Sequence, residues 1–551
     1  MGTHTFTIGG GRVLSNAYNQ HRQLGGNLVL NGSFTYGDTA FSGCISFVST
    51  NDTLLQTTPV ITTLRNSTFL ADALGRFTYA DGTTDTHTAN GSQLVLTGSL
   101  KDNGLGFGLT KEGDGRLVLQ GLLSDYSGDV TLNTGFLEVR GDAQSLGSGS
   151  LVLNGGLLRL APQGATGTFS YANSGVALNA DATLVLDRYS LTVAVTHRFG
   201  DLAVNAPATF SVLHGYNVAA NADATLQFGN ITLSGATTFD VGEGAVLVLG
   251  KVSGNSVPIT KTGAGTLRFD ATSGVSASNG TYGDIILEDG WLQFRFTPAE
   301  TAPASVGGNL ILRGGKLSSN DTPSRTFYRP LAIEGDVTLG DTVANGTLVF
   351  NGSITLSGVR SLNILSKVCF NGTVTGGGLE KSGAGELAIN GVNGDFGPVA
   401  LREGRLSNTG KIGGAVFLGD TGALEASVGL KAGAVSFGST LNITLDLAGA
   451  VQGGTAITLD SLAAAGSSVS LTLLNANDAL LDGYTLLSIG STLLSASDFH
   501  ISGTSLDWEF AGGALQLSAP IPEPATTALL LALAALALFW VHTKGTKSPN
   551  F

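Results

Sequence analysis

The sequence predicts an all-β chain: a right-handed parallel β-helix, or solenoid, with a small β cap and one C-terminal transmembrane helix. Three observations carry that expectation. Glycine supplies 80 of 551 residues, about twice its usual share, and charged residues only 13%. Short runs that alternate apolar and polar residues, each suited to a strand with one buried face, recur up to about residue 517. The runs also repeat, which points to one array rather than several unrelated domains.

The repeat is clearest in three places. "LTKEGDGRLVLQG" begins at Leu109, "ITKTGAGTLRF" at Ile259 and "LEKSGAGELAING" at Leu379. Each holds a lysine and two glycines in one spacing: Lys111, Gly113 and Gly115; Lys261, Gly263 and Gly265; Lys381, Gly383 and Gly385. A phosphate loop would place its lysine after the last glycine and open a helix. Here the lysine comes first, and a period-two pattern such as Thr266, Leu267, Arg268, Phe269 follows, so the motif is a turn that leads into a strand. In that pattern Leu267 faces inward, while Thr266, Arg268 and Glu386 face water.

A second half follows each motif after a spacer. "YSGDVTLNTGFLEV" from Tyr126, "YGDIILEDGWLQF" from Tyr282 and "FGPVALREGRLSN" from Phe396 align on Gly135, Gly290 and Gly404. Apolar positions alternate up to that glycine and resume two residues beyond it, the signature of strand, tight turn, strand. Weaker echoes begin at Gly26, Gly149, Gly308 and Gly346.

Composition excludes several classes. There is no Gly-X-Y period, so the chain is not collagen, and 42% hydrophobic residues suffice for a core. A net charge of −13 with no basic cluster in the body disfavours nucleic acid. Cys44 and Cys369 would lie on distant rungs, so no disulfide framework is expected. The seven histidines never stand at ligand spacing, and "EGDGR" at Glu112 lacks the periodic nonapeptide of calcium solenoids, so neither metal nor cofactor is expected. Asn-x-Ser/Thr triplets at Asn31, Asn66, Asn230, Asn345 and Asn371 read as turn residues. No catalytic residue is assigned. The alternative, a carbohydrate-active β-helix enzyme such as a polysaccharide lyase or hydrolase, would need carboxylates such as Asp187, Asp240 and Glu243 to converge in a groove.

The tail has a different character. Pro522, Glu523 and Pro524 precede an uncharged Leu/Ala run from Ala525 to Val541, and His542, Lys544 and Lys547 follow. At 1.5 Å per residue the run gives roughly 25 Å of helix, the short end of a membrane span, with the positive residues on the cytoplasmic side. The opening "MGTHTFTIGGGRVLSN" has no basic and apolar leader, so export calls either for sequence upstream of Met1, the favoured expectation, or for another route.

Two resemblances follow from these residues. The lysine-glycine units, 109–139, 259–294 and 379–406, resemble the autotransporter-associated β-strand repeat, which implies a β-helical stalk on a bacterial surface, although no translocator barrel follows. The tail is similar to the PEP-CTERM sorting signal, with spaced lysines where the family has an arginine cluster. That resemblance implies processing by an exosortase, a membrane enzyme that cuts near the tripeptide. The resulting partition is an irregular start at 1–25, a solenoid at 26–435, a β-rich cap at 436–518 and the sorting signal at 519–551. The expected function is a non-enzymatic structural or adhesive protein of the bacterial cell surface or matrix. It would be membrane-anchored before processing, with exopolysaccharide or other surface proteins as candidate partners.

Overall fold

The computed structural model describes residues 4–518 except 16–20, 41–42, 49–51, 66–69, 72–76, 79–92, 165–166, 191–193, 255, 271–282, 296–307, 392–395, 409–410, 413, 419–420 and 464–467. The regular secondary structure of the described residues is almost entirely strand; their one α-helix, Asp478–Leu481, has four residues. Two compact units divide between Val399 and Ala400.

In the first unit successive strands fall on three sheets in turn, and each pairs in parallel with the strand one rung away. One turn runs Leu151–Leu153, Leu157–Leu160 and Thr168–Ser170, then returns to the first sheet at Val176–Leu178. The longest sheet contained in this unit has 15 strands and its neighbour has 10. The fold is thus a parallel β-solenoid. The stretch before residue 26 joins it, since Thr5–Ile8 pairs in parallel with Asn27–Leu30.

Register keeps the buried face in line from rung to rung. Leu117, Leu137, Leu158, Leu184, Val212 and Val241 pair in succession along the 15-stranded sheet, all fully buried. A one-residue slip would turn this whole row outward, so the alternating pattern fixes the register. Aromatic side chains stack in the same way. Phe269, Phe294, Phe327, Phe350 and Phe370 form a continuous file with ring centroids 5.0 to 5.8 Å apart, the spacing favoured by edge-to-face and offset pairs. Thr266, Arg268 and Glu386, expected to face water, are half-buried.

The three lysine motifs occupy different corners. The first joins the 10-stranded sheet to the 15-stranded one; the second joins the 15-stranded sheet to that containing Thr266–Phe269; the third joins this last sheet to the one containing Glu386–Ile389. The motif therefore encodes a corner and is not tied to one face. The echoes at Gly26, Gly149, Gly308 and Gly346 are strand–turn–strand corners as well.

The second unit has longer strands. Thr421–Ser427, Thr440–Asp446, Ser468–Leu474 and Phe499–Ser502 stack in parallel, and Leu430–Ser436, Thr455–Ala463 and Thr485–Ile489 form a second parallel series. Parallel order ends at a hairpin. Asp507–Ala511 turns back through Gly512 and Gly513, both at positive φ, into Ala514–Ser518, which lies antiparallel against Thr485–Ile489. This is the hairpin expected from Trp508, Phe510, Leu515 and Leu517: the two leucines are fully buried and the two aromatics half-buried.

Candidate functional site

The motif lysines are not solvent-facing turn residues. Lys111 pairs across the sheet with Leu132, and Lys261 with Phe239 and Leu287, so each stands in an inward-facing row. All three motif lysines have no exposed surface. Each ammonium curls back onto the corner it precedes. Lys111 Nζ donates to the carbonyls of Glu112 and Gly113 at 2.7 Å and of Thr134 at 3.1 Å. Lys261 Nζ donates to those of Thr262, Gly263 and Asp289 at 2.6, 2.5 and 3.3 Å. Lys381 Nζ reaches the carbonyl of Gly383 at 2.8 Å. Burial pushes Lys111 down to about 7, against the pull of Asp114 and Glu112, and Lys261 down to about 8, against Asp289 and Asp240.

The glycines fit around this arrangement. Gly113, Gly263 and Gly383 have φ of 73°, 74° and 75°, the left-handed region that costs other residues strain. Gly135 and Gly290 sit one rung on, directly over the ammonium. A Cβ at Gly135 would fall 2.8 Å from Lys111 Nζ and 2.0 Å from the Gly113 carbonyl oxygen; at Gly290 it would fall 2.7 Å from Lys261 Nζ and 2.1 Å from the Gly263 oxygen. Lysine and distant glycine therefore form one unit in which the ammonium ties a corner to the rung above it.

A second cluster lies on the outer side of the 15-stranded sheet. Glu138 and Arg159 alternate with the inward Leu137, Val139, Leu158 and Leu160, yet they are only 1% and 3% exposed. Glu138 accepts from Arg140 at 2.8 and 3.1 Å and pairs with Arg159 at 3.3 Å and Arg116 at 3.6 Å. Arg159 continues to Asp187 at 2.6 Å, and Tyr216 lies 4.1 Å from its guanidinium carbon. Asp187 also accepts from the backbone N–H groups of Arg188 and Asn217, at 2.8 and 2.9 Å. Its own carbonyl lies 3.2 Å from Nε2 of His197, whose Nδ1 is 3.0 Å from the Tyr171 hydroxyl. Burial pushes His197 down to about 3.

Beside this cluster the sheet carries an open groove of about 480 Å³. Register places Phe136, Leu157, Thr183, Ser211 and Asp240 in one outward row, one side chain per rung, with Leu213 alongside. Asp240 accepts from the hydroxyls of Ser211 at 3.3 Å and Thr262 at 3.1 Å. Of the carboxylates singled out from sequence, Asp187 is thus sealed in an ion pair, Asp240 lines the groove and Glu243 is exposed on a turn. Glu112, in the calcium-like "EGDGR", accepts from Asn133 at 2.9 Å, and Asp114 pairs with Arg65. Among the described residues no group of three or more His, Cys, Asp or Glu is gathered as for a metal ion.

Two ladders of asparagine run from rung to rung, a feature absent from the expectations drawn from sequence. Asn205 donates to Asn179, Asn179 to Asn154 and Asn154 to Asn133, at 2.7 to 2.8 Å, and a second ladder joins Asn390, Asn371 and Asn351 at 2.8 Å. The available signal was an asparagine recurring just after a strand, once per rung. Pro522, Glu523 and Pro524, expected to act as a sorting signal, together with the apolar run and the basic residues His542, Lys544 and Lys547, lie outside the described residues. Among those described, no helix is long and apolar enough to cross a membrane. No family model, no curated protein and no solved structure matches the chain.

Proposed function

We propose that this protein is a non-enzymatic structural or adhesive component of a bacterial surface or extracellular matrix, delivered by exosortase processing of its tail. The observation that carries the reading is the order of the tail: Pro522-Glu523-Pro524, an uncharged apolar run, then lysines. Prolines on both sides of Glu523 disfavour helix at that point of the sequence, which suits a tripeptide that a protease reads. Positive residues after the run hold that end in the cytoplasm and leave the β body outside. The solenoid suits a passive role, because stacked rungs give length and repeated surface without convergent chemistry. One observation supports the same reading over the enzyme alternative: of the carboxylates that alternative would bring together, Asp187 is bound to Arg159 and sealed from solvent, and Asp240 is the one carboxylate in the groove lining, whereas glycoside hydrolysis needs two that reach the sugar. The test is a Glu523→Ala variant in a host that carries an exosortase. The expected result is retention of the full-length precursor in the membrane fraction while the unaltered chain reaches the surface; equal surface delivery of both would remove the sorting step.

A further inference from the structure

We infer that the groove on the 15-stranded sheet binds a linear β-linked glycan that carries no carboxylate or sulfate, with an amino-sugar chain held most tightly. The inference rests on the surface and matrix role proposed above and adds a ligand class to it. The groove crosses the strands, so it follows the solenoid axis. Its row of Phe136, Leu157, Thr183, Ser211 and Asp240 offers one side chain per rung across five rungs, and strands repeat about every 4.8 Å. A ligand that uses every rung needs a similar repeat. An extended peptide advances about 3.3 Å per residue and presents side chains to one face every second residue, so it falls out of step with the rungs. A β-linked pyranose chain advances by close to one rung per sugar and stays in step.

The lining changes along the row. Phe136 and Leu157 at one end, with Leu213 beside Ser211, offer apolar surface to the C–H faces of the rings, while Thr183, Ser211 and Asp240 toward the other end offer hydroxyls and a carboxylate to sugar O–H and N–H groups. Charge sets the preference. Asp240 is the one ionisable side chain in the lining, and the hydroxyls of Ser211 and Thr262 fix its orientation, so an anionic chain is repelled and an ammonium is attracted.

The test uses the full chain and three probes: the β-1,4-linked tetramers of glucosamine and of glucose, and a galacturonate tetramer, each titrated by calorimetry near pH 6. The expected order is glucosamine above glucose, with no heat from galacturonate. Thr183→Arg, a substitution at a half-exposed outward position, fills the groove and should weaken glucosamine binding at least tenfold. Asp240→Asn, nearly isosteric, should abolish the preference for glucosamine over glucose and keep glucose binding. No binding of either uncharged or amino-sugar tetramer, equal binding in the folded Thr183→Arg variant, or tightest binding of galacturonate would each overturn the inference. None of these outcomes touches the sorting of the tail, which the Glu523→Ala experiment reads separately.

Discussion

At the scale of single residues, two buried bases make pH a direct probe of the interior. His197 folds as a neutral ring, with a pKa lowered from 6.5 to about 3 by burial. The unfolded chain therefore binds a proton that the folded chain refuses. The stability it contributes is complete above about pH 6.5 and declines as pH falls toward 3, with a loss of about 2 kcal/mol by pH 5. Denaturant unfolding at pH 5 and pH 7.5 should show this difference in the unaltered protein and a smaller one in His197→Phe; an identical difference in both would place the acid sensitivity elsewhere. Lys261 acts at the other end of the scale. Its folded pKa of about 8 lies below the 10.5 of the free side chain, so the unfolded chain again binds more protons and stability rises between pH 8 and 10.5. Lys261→Met should lose that rise. At pH 7 it should also weaken the corner by about 1 to 3 kcal/mol, because the carbonyls of Thr262, Gly263 and Asp289 lose a shared donor. A Met variant that keeps the alkaline rise would show that another group carries it.

At the scale of elements, each rung contacts its neighbours and little else, so damage should stay local. Leu267 is fully buried between Leu247 and Leu292 in the adjacent rungs. Leu267→Asp puts a charge there, and hydrogen exchange should report lost protection in the rungs near residue 267 with protection retained at 109–160; loss of protection throughout the first unit would contradict a chain of nearest-neighbour contacts. The terminal hairpin is the converse case. Ala514–Ser518 covers the edge of Thr485–Ile489 and buries Leu515 and Leu517, so deletion of 507–518 should yield self-associating protein in sedimentation; a monodisperse truncation would deny the hairpin its covering role. These elements were legible in sequence because strand and turn signals are local: Val130, Leu132 and Leu137 alternate about Gly135, and Gly512–Gly513 separates two alternating runs. The chemistry was less legible because its partners are a rung apart. Lysine ordinarily marks solvent, and nothing within a short window shows that Lys111 reaches the carbonyl of Thr134 or that Glu138 meets Arg159. Asparagine reads correctly as a residue near turns, but only stacking turns it into a ladder.

At the scale of the whole molecule, the recurrence of one lysine-glycine corner at three different sheet-to-sheet junctions explains how an imperfect repeat can still build a regular fold. Each copy has a lysine that ties carbonyls of its corner and a glycine for the positive φ, and in the first two copies a bare glycine one rung on sits over the ammonium, whichever two sheets meet there. Such a body supplies length and surface, and in the proposed account the tail supplies its destination. The most direct test of that account is the intact mass of the protein extracted from the surface of an exosortase-bearing host, set beside the membrane-retained form. The account predicts a membrane form that keeps the C-terminal run and a surface form that ends near Pro522-Glu523-Pro524. A surface form that still contains residues beyond Ala525 would contradict it and leave the tail as an ordinary membrane anchor.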